Sequence, residues 1–138
     1  MSQIKISSYP LQFEEKILSL YKSVGWANYT KHPDVLKNAF ENSLSIFAAY
    51  DNEELVGIIR VVGDGYSIIY IQDLLVHPNY QRQKIGTQLL QAVLDKYKTV
   101  SQIVLLTDNT PKTISFYQSF GLHSSDKFGC ISFVKMQS

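Results

Sequence analysis

Cysteine is scarce in this sequence, and no group of side chains has the spacing of a metal site. The 138 residues include one cysteine, Cys130, which excludes a disulfide within the chain. The three histidines are scattered, and no Cys/His group has the spacing of a zinc site. We therefore expect a protein that uses no metal and belongs to a reducing compartment, the cytoplasm.

Excess charge of one sign and long apolar runs are also missing. Thirteen basic and twelve acidic residues leave a formal charge of +1, which argues against a nucleic-acid partner. No apolar run approaches the ~20 residues that cross a bilayer. The first residues, Met1–Ile6, lack the apolar core of a signal peptide. We expect no membrane partner.

The bulk composition is that of an ordinary globular protein, with 45% hydrophobic and 18% charged residues. There is no repeat, low-complexity segment or linker, and the length suits one domain, so we predict a single domain over residues 1–138.

Apolar periodicity predicts the order β-α-α-β-β-β-α-β-α-β, an α/β or α+β domain around a mostly antiparallel sheet. The predicted strands are Gln3–Ser7, Ser45–Tyr50, Leu55–Val62, Tyr66–Val76, Gln102–Leu106 and Lys127–Met136. The predicted helices are Leu11–Ser23, one that opens at Pro33-Asp34, Gln83–Tyr97 and Thr113–Phe120. Val24–Ala27 is predicted to end the first helix and begin a loop.

The segment Asp73–Leu90 is the most informative part of the chain. An apolar strand runs into a polar loop, and the loop runs directly into an amphipathic helix. Free N–H groups at a helix start, together with the helix dipole, attract phosphate. The segment therefore predicts a site for a phosphorylated cofactor.

This segment resembles the acetyl-CoA site of the GNAT superfamily of N-acetyltransferases. The family's loop pattern is Arg/Gln, two residues of any kind, Gly, any residue, then Gly/Ala, and Gln81, Lys84 and Gly86 stand at its fixed positions. The stretch Ile114–Leu122 is similar to the family's late helix, which ends in Phe-Tyr, three residues and Gly-Phe. Together with the element order, the resemblance extends over nearly the whole chain.

The sequence departs from the family pattern at two positions. Lys84 stands where the family usually has Gly, which adopts positive φ without the strain that Lys incurs. Thr110 stands where many members have Asn, although Asn109 is adjacent. We expect main-chain binding to survive the Lys84 departure, and a Lys ammonium is also suited to a phosphate.

The resemblance implies a GNAT-like mixed, mostly antiparallel sheet of about six to seven strands with about four helices. It also implies transfer of an acetyl group from acetyl-CoA, as co-substrate, to a primary amine of a small molecule or protein by direct attack in a ternary complex. A bulge amide near Leu74 or Leu75 would stabilise the oxyanion. The implied cofactor-binding residues are Leu74, Leu75, Val76, Gln81, Arg82, Gln83, Lys84, Ile85, Gly86, Thr87 and Asn109.

Two residues are candidates for the chemistry. The resemblance places Tyr117 beside the thioester sulfur as general acid, since a phenol with a pKa near ~10 can protonate a departing thiolate. The alternative is a Tyr117 that caps the core with its hydroxyl in water. Asp73 is the candidate base, and its alternative is a carboxylate at the strand with a backbone partner.

The acceptor side is predicted from Trp26, Tyr29 and Gln72. Trp26 and Tyr29 would form an aromatic wall for an amine, or else a lid packed on the core, and Gln72 would line the same cleft. Arg60 sits in an apolar strand; pairing with Asp73 or with an acidic group of the substrate is open, and an outward-facing surface position is the expectation.

Two other functions stay open at this point. One is a non-catalytic acyl-CoA-binding or sensing module on the same fold, and the other is an interaction domain whose cleft is filled. The sequence does not identify the acceptor amine, because specificity lies in loop residues. The predicted final strand offers an edge on which a second copy would pair in a homodimer.

Overall fold

The computed structural model describes residues 3–137, which fall into two compact units, one up to Leu105 and one from Leu106. In chain order the elements are β1 (Ile4–Tyr9), α1 (Glu15–Ser23), α2 (Ala27–Thr30), α3 (Pro33–Glu41), β2 (Ser45–Asp51), β3 (Glu54–Gly63), β4 (Ile68–Val76), a 3₁₀ turn (Pro78–Tyr80), α4 (Ile85–Lys96), β5 (Gln102–Leu105), α5 (Pro111–Gln118) and a second 3₁₀ turn (Ser125–Phe128). The single domain over residues 1–138 stays a prediction.

The sheet of the N-terminal unit has the strand order β1-β2-β3-β4-β5. The pairs from β1 to β4 are antiparallel, and β4 pairs with β5 in parallel. Each geometry follows from its connection. Asn52, at φ 57, forms a tight turn between β2 and β3, whereas α4 provides the long crossover that a parallel pair needs. The prediction of a mostly antiparallel sheet is confirmed.

One face of the sheet is covered by α1 and α3. Ile17 of α1 and Leu36 and Phe40 of α3 are fully buried in one cluster with Ile58 and Leu75 of the sheet. Burying one such side chain contributes about 1.5–3 kcal/mol. This face therefore holds the helices that lie between β1 and β2 in sequence.

The other face is covered by α4, which lies close to β3 at Gly57. A Cβ at Gly57 would lie 3.1 Å from Ile85 Cγ2 and 3.2 Å from Leu89 Cδ1. Because neighbouring residues of a strand point to opposite faces, Gly57 lies on the face of the sheet opposite to the one on which Ile58 packs. The small residue thus fixes how closely the start of α4 approaches the sheet.

Helix boundaries follow local signals in the sequence. Pro33 occupies the first turn of α3, and Lys96 stands in the last turn of α4, where it complements the helix dipole. Gly25, at φ 75, follows α1 and leads into α2, a helix that the sequence predicted as loop. Within residues 3–137, no helix has the length and apolarity needed to cross a membrane.

The turn between β3 and β4 is built around Asp64. Gly63 has φ 129, and a Cβ there would lie 2.5 Å from the Ile68 carbonyl oxygen. The Asp64 carboxylate accepts hydrogen bonds from the amides of Tyr66, Ser67 and Ile68 at 2.7, 2.7 and 3.1 Å. The Ser67 hydroxyl and these amides lower the pKa of Asp64 below its usual range.

The predicted strand at Lys127–Met136 is wrong. Ser125–Phe128 is a 3₁₀ turn, Gly129 follows at φ 73, and residues 129–137 contain no strand. Apolar alternation encodes which face a residue would bury, but a strand also requires a hydrogen-bonding neighbour. Residues 3–137 therefore hold five strands and five α-helices instead of the predicted six to seven strands and four helices, with α2 as the added helix. The homodimer stays a prediction, but the final strand whose edge was predicted to pair in it is not formed by the described residues.

Candidate active site

Within residues 3–105, the second half of β4 has no strand paired with it on the β5 side. The parallel pairing runs from Ile68↔Gln102 to Ile71↔Leu105 and stops there, while β4 continues to Val76. β5 ends at Leu105, so the two strands share only four paired positions within residues 3–105. A segment of β4 edge is therefore open at its carboxyl end.

Hydrogen bonding on the β3 side shows which main-chain groups face this opening. His77 N donates to Val56 O at 2.8 Å, so His77 and Val56 form a hydrogen-bonded pair of the antiparallel ladder. Such pairs alternate, which places the N–H and C=O of Leu75 toward β3 and those of Leu74 and Val76 away from it. Leu74 thus turns its N–H and C=O toward this edge, as does the Val76 N–H, while the Val76 carbonyl accepts a hydrogen bond from Gln81 Nε2 at 3.5 Å.

The open edge leads into a loop with unusual backbone geometry. Arg82 and Lys84 have φ 69 and φ 60, and both lie in the left-handed region. Lys84 is also the N-cap of α4, and no side chain caps this helix start. Gln88 N donates to Lys84 O at 3.1 Å. Lys84 therefore adopts a left-handed conformation, which glycine takes without strain.

The start of α4 has the features of an anion site. The first amides of an α-helix lack partners inside the helix, and here they belong to Ile85, Gly86 and Thr87. Left-handed residues in the preceding loop turn successive N–H groups toward one side. The predicted cofactor residues Gln81, Arg82, Gln83 and Lys84 are all exposed in this loop.

A hydroxyl fixes the chain just before the loop. Tyr80 OH donates to Asp51 Oδ2 at 2.7 Å, and Glu54 Oε2 lies 3.4 Å from the same hydroxyl. The hydrogen bond to Asp51 and partial desolvation raise the pKa of Tyr80 to about 12. The loop is thereby anchored to the turn between β2 and β3.

A β-bulge lies on β4 at Gln72. Arg60 pairs with Asp73 and Val61 pairs with Ile71, so Gln72 is the extra residue between them. The extra residue reverses the face of the sheet to which the following side chains point. Asp73 therefore lies on the same face as Arg60, whereas Ile71 points to the opposite face. The bulge expected near Leu74 or Leu75 is thus located before them, at Gln72.

Arg60 and Asp73 form a buried ion pair. Arg60 Nε donates to Asp73 Oδ2 at 2.8 Å, and the two residues are 4% and 3% exposed. Burial alone would lower the pKa of Arg60, but Asp73 outweighs it and the net shift is upward. The expectation of an outward-facing Arg60 is wrong, because the bulge turns Asp73 to meet it.

Two tyrosines complete the surroundings of Asp73. Tyr21 OH donates to Oδ2 at 2.7 Å, and Tyr29 OH donates to Oδ1 at 3.0 Å. Burial first, and then the Asp73 charge, raise the pKa of both phenols. Both carboxylate oxygens therefore have donors. Sequence reasoning missed Tyr21, whose only signal was a polar end on an otherwise apolar helix face.

The predicted acceptor residues lie together. Gln72 Nε2 donates to Tyr29 OH at 3.3 Å, and the Trp26 and Tyr29 ring centroids are 6.3 Å apart. A cavity of about 350 Å³ is lined by residues 25–29. Trp26 and Tyr29 also pack against the buried cluster. Trp26 and Tyr29 therefore line the cavity as the predicted aromatic wall and also pack on the core as the alternative lid, and Gln72 lies at the rim of this structure.

Tyr117 belongs to the C-terminal unit, on α5. Its ring is half-buried beside Phe116, with centroids 5.0 Å apart. Burial and the Asp108 charge raise its pKa, although a hydrogen bond with Thr107 opposes them. The phenol is therefore protonated throughout the neutral range. Thr107 and Asp108 were not predicted as its neighbours.

The residues before α5 explain one departure from the family pattern. Thr110 is the N-cap of α5, and its hydroxyl accepts a hydrogen bond from Thr113 N at 3.3 Å. Threonine is a good N-cap residue, so its presence at this position has a structural reason. Asn109 lies in the coil before it.

Comparison with known sequences identifies the family. The model of the acetyltransferase (GNAT) family matches residues 11–122, which is well over half of the chain. The chain belongs to the GNAT family of acetyltransferases. GNAT acetyltransferases use acetyl-CoA, and the described residues contain no group of three or more potential metal ligands.

Individual GNAT relatives agree. A solved GNAT-family acetyltransferase from Streptococcus pneumoniae is 37% identical with a TM-score of 0.89, covering 98% of each chain. An uncharacterised ycf52-like N-acetyltransferase from Prochlorococcus marinus is 35% identical over 108 residues, which are 74% of this chain and 58% of the relative. The chain thus spans less than two thirds of the curated relatives it matches.

A more distant solved structure supports the fold alone. A Staphylococcus aureus protein of unknown function, described as a probable acetyltransferase, is 24% identical with a TM-score of 0.79 and covers 97% of this chain. The five-stranded mixed sheet of residues 3–105 is therefore a GNAT sheet. The roles assigned to individual residues stay predictions.

Proposed function

We propose that this protein transfers an acetyl group from acetyl-CoA to a primary amine of a small molecule or protein. The observation that carries the proposal is the edge of β4 that no strand of residues 3–105 pairs with, where Leu74 turns its main-chain N–H and C=O away from β3, followed at once by the uncapped start of α4. A ligand with an amide-bearing arm and a diphosphate matches both features. The acceptor amine stays open.

The donor is held by main chain. Leu74 offers its N–H and C=O, and Val76 offers its N–H, to the amides of a pantetheine arm, in the manner of an added strand. The amides between Gln81 and Thr87 receive the diphosphate, assisted by the dipole of α4. Main-chain binding explains why Lys84 is accepted in place of glycine, since its amide has the same position whatever its side chain.

The reaction is a direct attack in a ternary complex. The nitrogen of the neutral amine bonds to the acetyl carbon, and the carbon–sulfur bond breaks. Tyr117 gives its proton to the departing thiolate, the amine loses one proton to water, and water returns a proton to the Tyr117 phenolate. The raised pKa of Tyr117 supports this assignment, because the phenol is a proton donor, and not a base, at neutral pH.

The proposed role of Asp73 follows from its hydrogen-bond partners. Arg60, Tyr21 and Tyr29 all donate to its carboxylate, and the residue is 3% exposed. These contacts favour a positioning role, in which Asp73 holds the Tyr29 hydroxyl on the acceptor side. The proton-accepting role of Asp73 stays a prediction.

Titration calorimetry with acetyl-CoA tests donor binding, and thiol release tests transfer to a panel of n-butylamine, tyramine, spermidine and lysine amide. We expect binding and release of thiol with at least one amine. No binding at millimolar acetyl-CoA would end the proposal. Binding without transfer to any amine would favour the acyl-CoA-sensing alternative.

Tyr117→Phe tests the general acid. We expect kcat to fall by about 10²-fold or more with the KM for acetyl-CoA unchanged, because only proton donation is lost. Tyr66→Phe is the matched control, since Tyr66 is 87% exposed in the turn after β3. A Tyr117→Phe enzyme with the turnover of the control would remove Tyr117 from the mechanism.

We also propose a cytoplasmic location and self-association as a homodimer. Sedimentation equilibrium at two protein concentrations distinguishes the dimer from a monomer.

A further inference from the structure

A line of four polar residues runs from the interior to the rim of the acceptor side. Arg60 is bonded to Asp73, Asp73 to Tyr29, and Tyr29 to Gln72. The first two are buried, Tyr29 is half-buried and Gln72 is exposed. The outermost residue thus depends on the innermost through an unbroken series of hydrogen bonds.

Each bond in this line has only one direction. Arginine can only donate, and a carboxylate can only accept, so Tyr29 must donate its single proton to Asp73. The Tyr29 oxygen is then left with lone pairs, and it accepts from Arg60 Nη2 and Gln72 Nε2, both at 3.3 Å. Tyr29 therefore has no further capacity to donate.

The orientation of the Gln72 amide follows. Its NH₂ group must face Tyr29, because its carbonyl oxygen would meet lone pairs there. Turning Tyr29 to suit a flipped amide would leave Asp73 Oδ1 without its donor, which disfavours the flip by about tenfold or more. Gln72 Oε1 is thus directed away from Tyr29 and has no hydrogen-bond partner within residues 3–105.

The position of Gln72 in the fold indicates a binding function for this oxygen. Gln72 is the bulge residue, two positions before Leu74, where the open edge of β4 begins. The proposed function requires the acetyl group to be held along that edge. The hydrogen-bond-accepting oxygen of Gln72 then lies on the side from which the amine approaches. The rim is therefore equipped to receive a hydrogen-bond donor.

We propose that Gln72 Oε1 accepts a hydrogen bond from an N–H of the acceptor amine, with its orientation set by the line Arg60–Asp73–Tyr29. Gln72 is then a binding residue, and Tyr29 is a positioning residue. The site selects nitrogen nucleophiles with at least one N–H, and it disfavours ligands that present only lone pairs. The proposal depends on the proposed function, because it concerns the same acetyl transfer.

The first test is Gln72→Met, which keeps the length of the side chain and removes both polar groups. With the best amine of the panel above, we expect the KM for the amine to rise about tenfold. The KM for acetyl-CoA and the midpoint of urea unfolding should not change. Gln91→Met is the matched control, an exposed glutamine in the middle of α4.

The second test is Tyr29→Phe, which keeps the ring and removes the hydroxyl that orients Gln72. We expect the KM for the amine to rise several-fold, and Gln72→Met added to Tyr29→Phe to raise it by less than it does alone. Trp26, the one tryptophan of the chain, has its ring centroid 6.3 Å from that of Tyr29. Unchanged Trp26 emission shows that α2 has kept its packing.

Gln72→Glu provides the rescue, since it restores oxygen acceptors at the rim. We expect its KM for the amine to lie within about threefold of the wild-type value, unlike Gln72→Met. An unchanged amine KM in Gln72→Met would overturn the inference while leaving acetyl transfer intact. Loss of acetyl-CoA binding by the wild-type protein would instead overturn the proposed function.

Discussion

Replacing Arg60 by methionine removes one partner of a buried ion pair and leaves the other charged. Arg60 donates to Asp73 at 2.8 Å, to Ser43 at 3.2 Å and to Tyr29 at 3.3 Å. Arg60→Met keeps much of the side-chain volume, so packing changes little. What changes is the balance of charge around Asp73, which is 3% exposed.

The cost follows from that imbalance. Removing one member of a buried pair costs about 3–5 kcal/mol, because a buried charge is left uncompensated. A domain of this size has about 5–15 kcal/mol of stability in total, so the loss is large. Tyr21 and Tyr29 still donate to Asp73 in the variant, which places the expected value toward the lower end of the range.

Urea unfolding followed by circular dichroism measures the free energy of unfolding in a double-mutant cycle with Asp73→Leu. The double variant has no buried charge, and we expect it to be more stable than Arg60→Met alone, with about 1–3 kcal/mol lost through the Tyr21 hydroxyl. Arg60→Lys, which keeps the charge, should lie between the wild type and Arg60→Met. A cost below about 1 kcal/mol for Arg60→Met would refute the reasoning, since the pair would then be solvated.

Two further substitutions test the backbone of the cofactor loop and the β3–β4 turn. Lys84→Gly removes the strain of a non-glycine residue at φ 60, and we expect the acetyl-CoA dissociation constant from calorimetry to change by less than about threefold and the unfolding free energy to rise by at most about 1 kcal/mol. A loss of affinity shared with Lys84→Ala would instead assign the binding to the ammonium group. Asp64→Asn removes a carboxylate whose pKa is lowered in the folded state. In the wild type this carboxylate stabilises the folded protein above the unfolded-state pKa of about 3.9, and this stabilisation is lost as the pH falls below that value. Between pH 5 and pH 3 the wild type should therefore lose more stability in urea unfolding than Asp64→Asn does, and parallel curves would contradict the role of the turn.

Local patterns determined most of the N-terminal unit and predicted the kind of ligand that we propose for it. The apolar alternation from Ser45 to Val76 predicted three antiparallel strands, and the segment after Val76 predicted a helix whose start faces a strand end. These features depend on hydrogen bonds and side-chain faces within a few residues of one another. For the same reason the family could be recognised from Gln81, Gly86 and the Phe116-Tyr117 helix, and the comparisons confirm it.

Only the tertiary structure decided which polar groups meet. Arg60 and Asp73 are thirteen positions apart, and a bulge of one residue at Gln72 determines whether they share a face. Tyr21 and Tyr29 bind Asp73 from helices 52 and 44 positions earlier in the chain, separations that no periodicity encodes. The tail after Phe128 shows the converse, because its alternation suits a strand and no described neighbour pairs with it. Periodicity is a property of neighbours in sequence, whereas buried charges and strand partners are satisfied by residues that the fold brings together from afar.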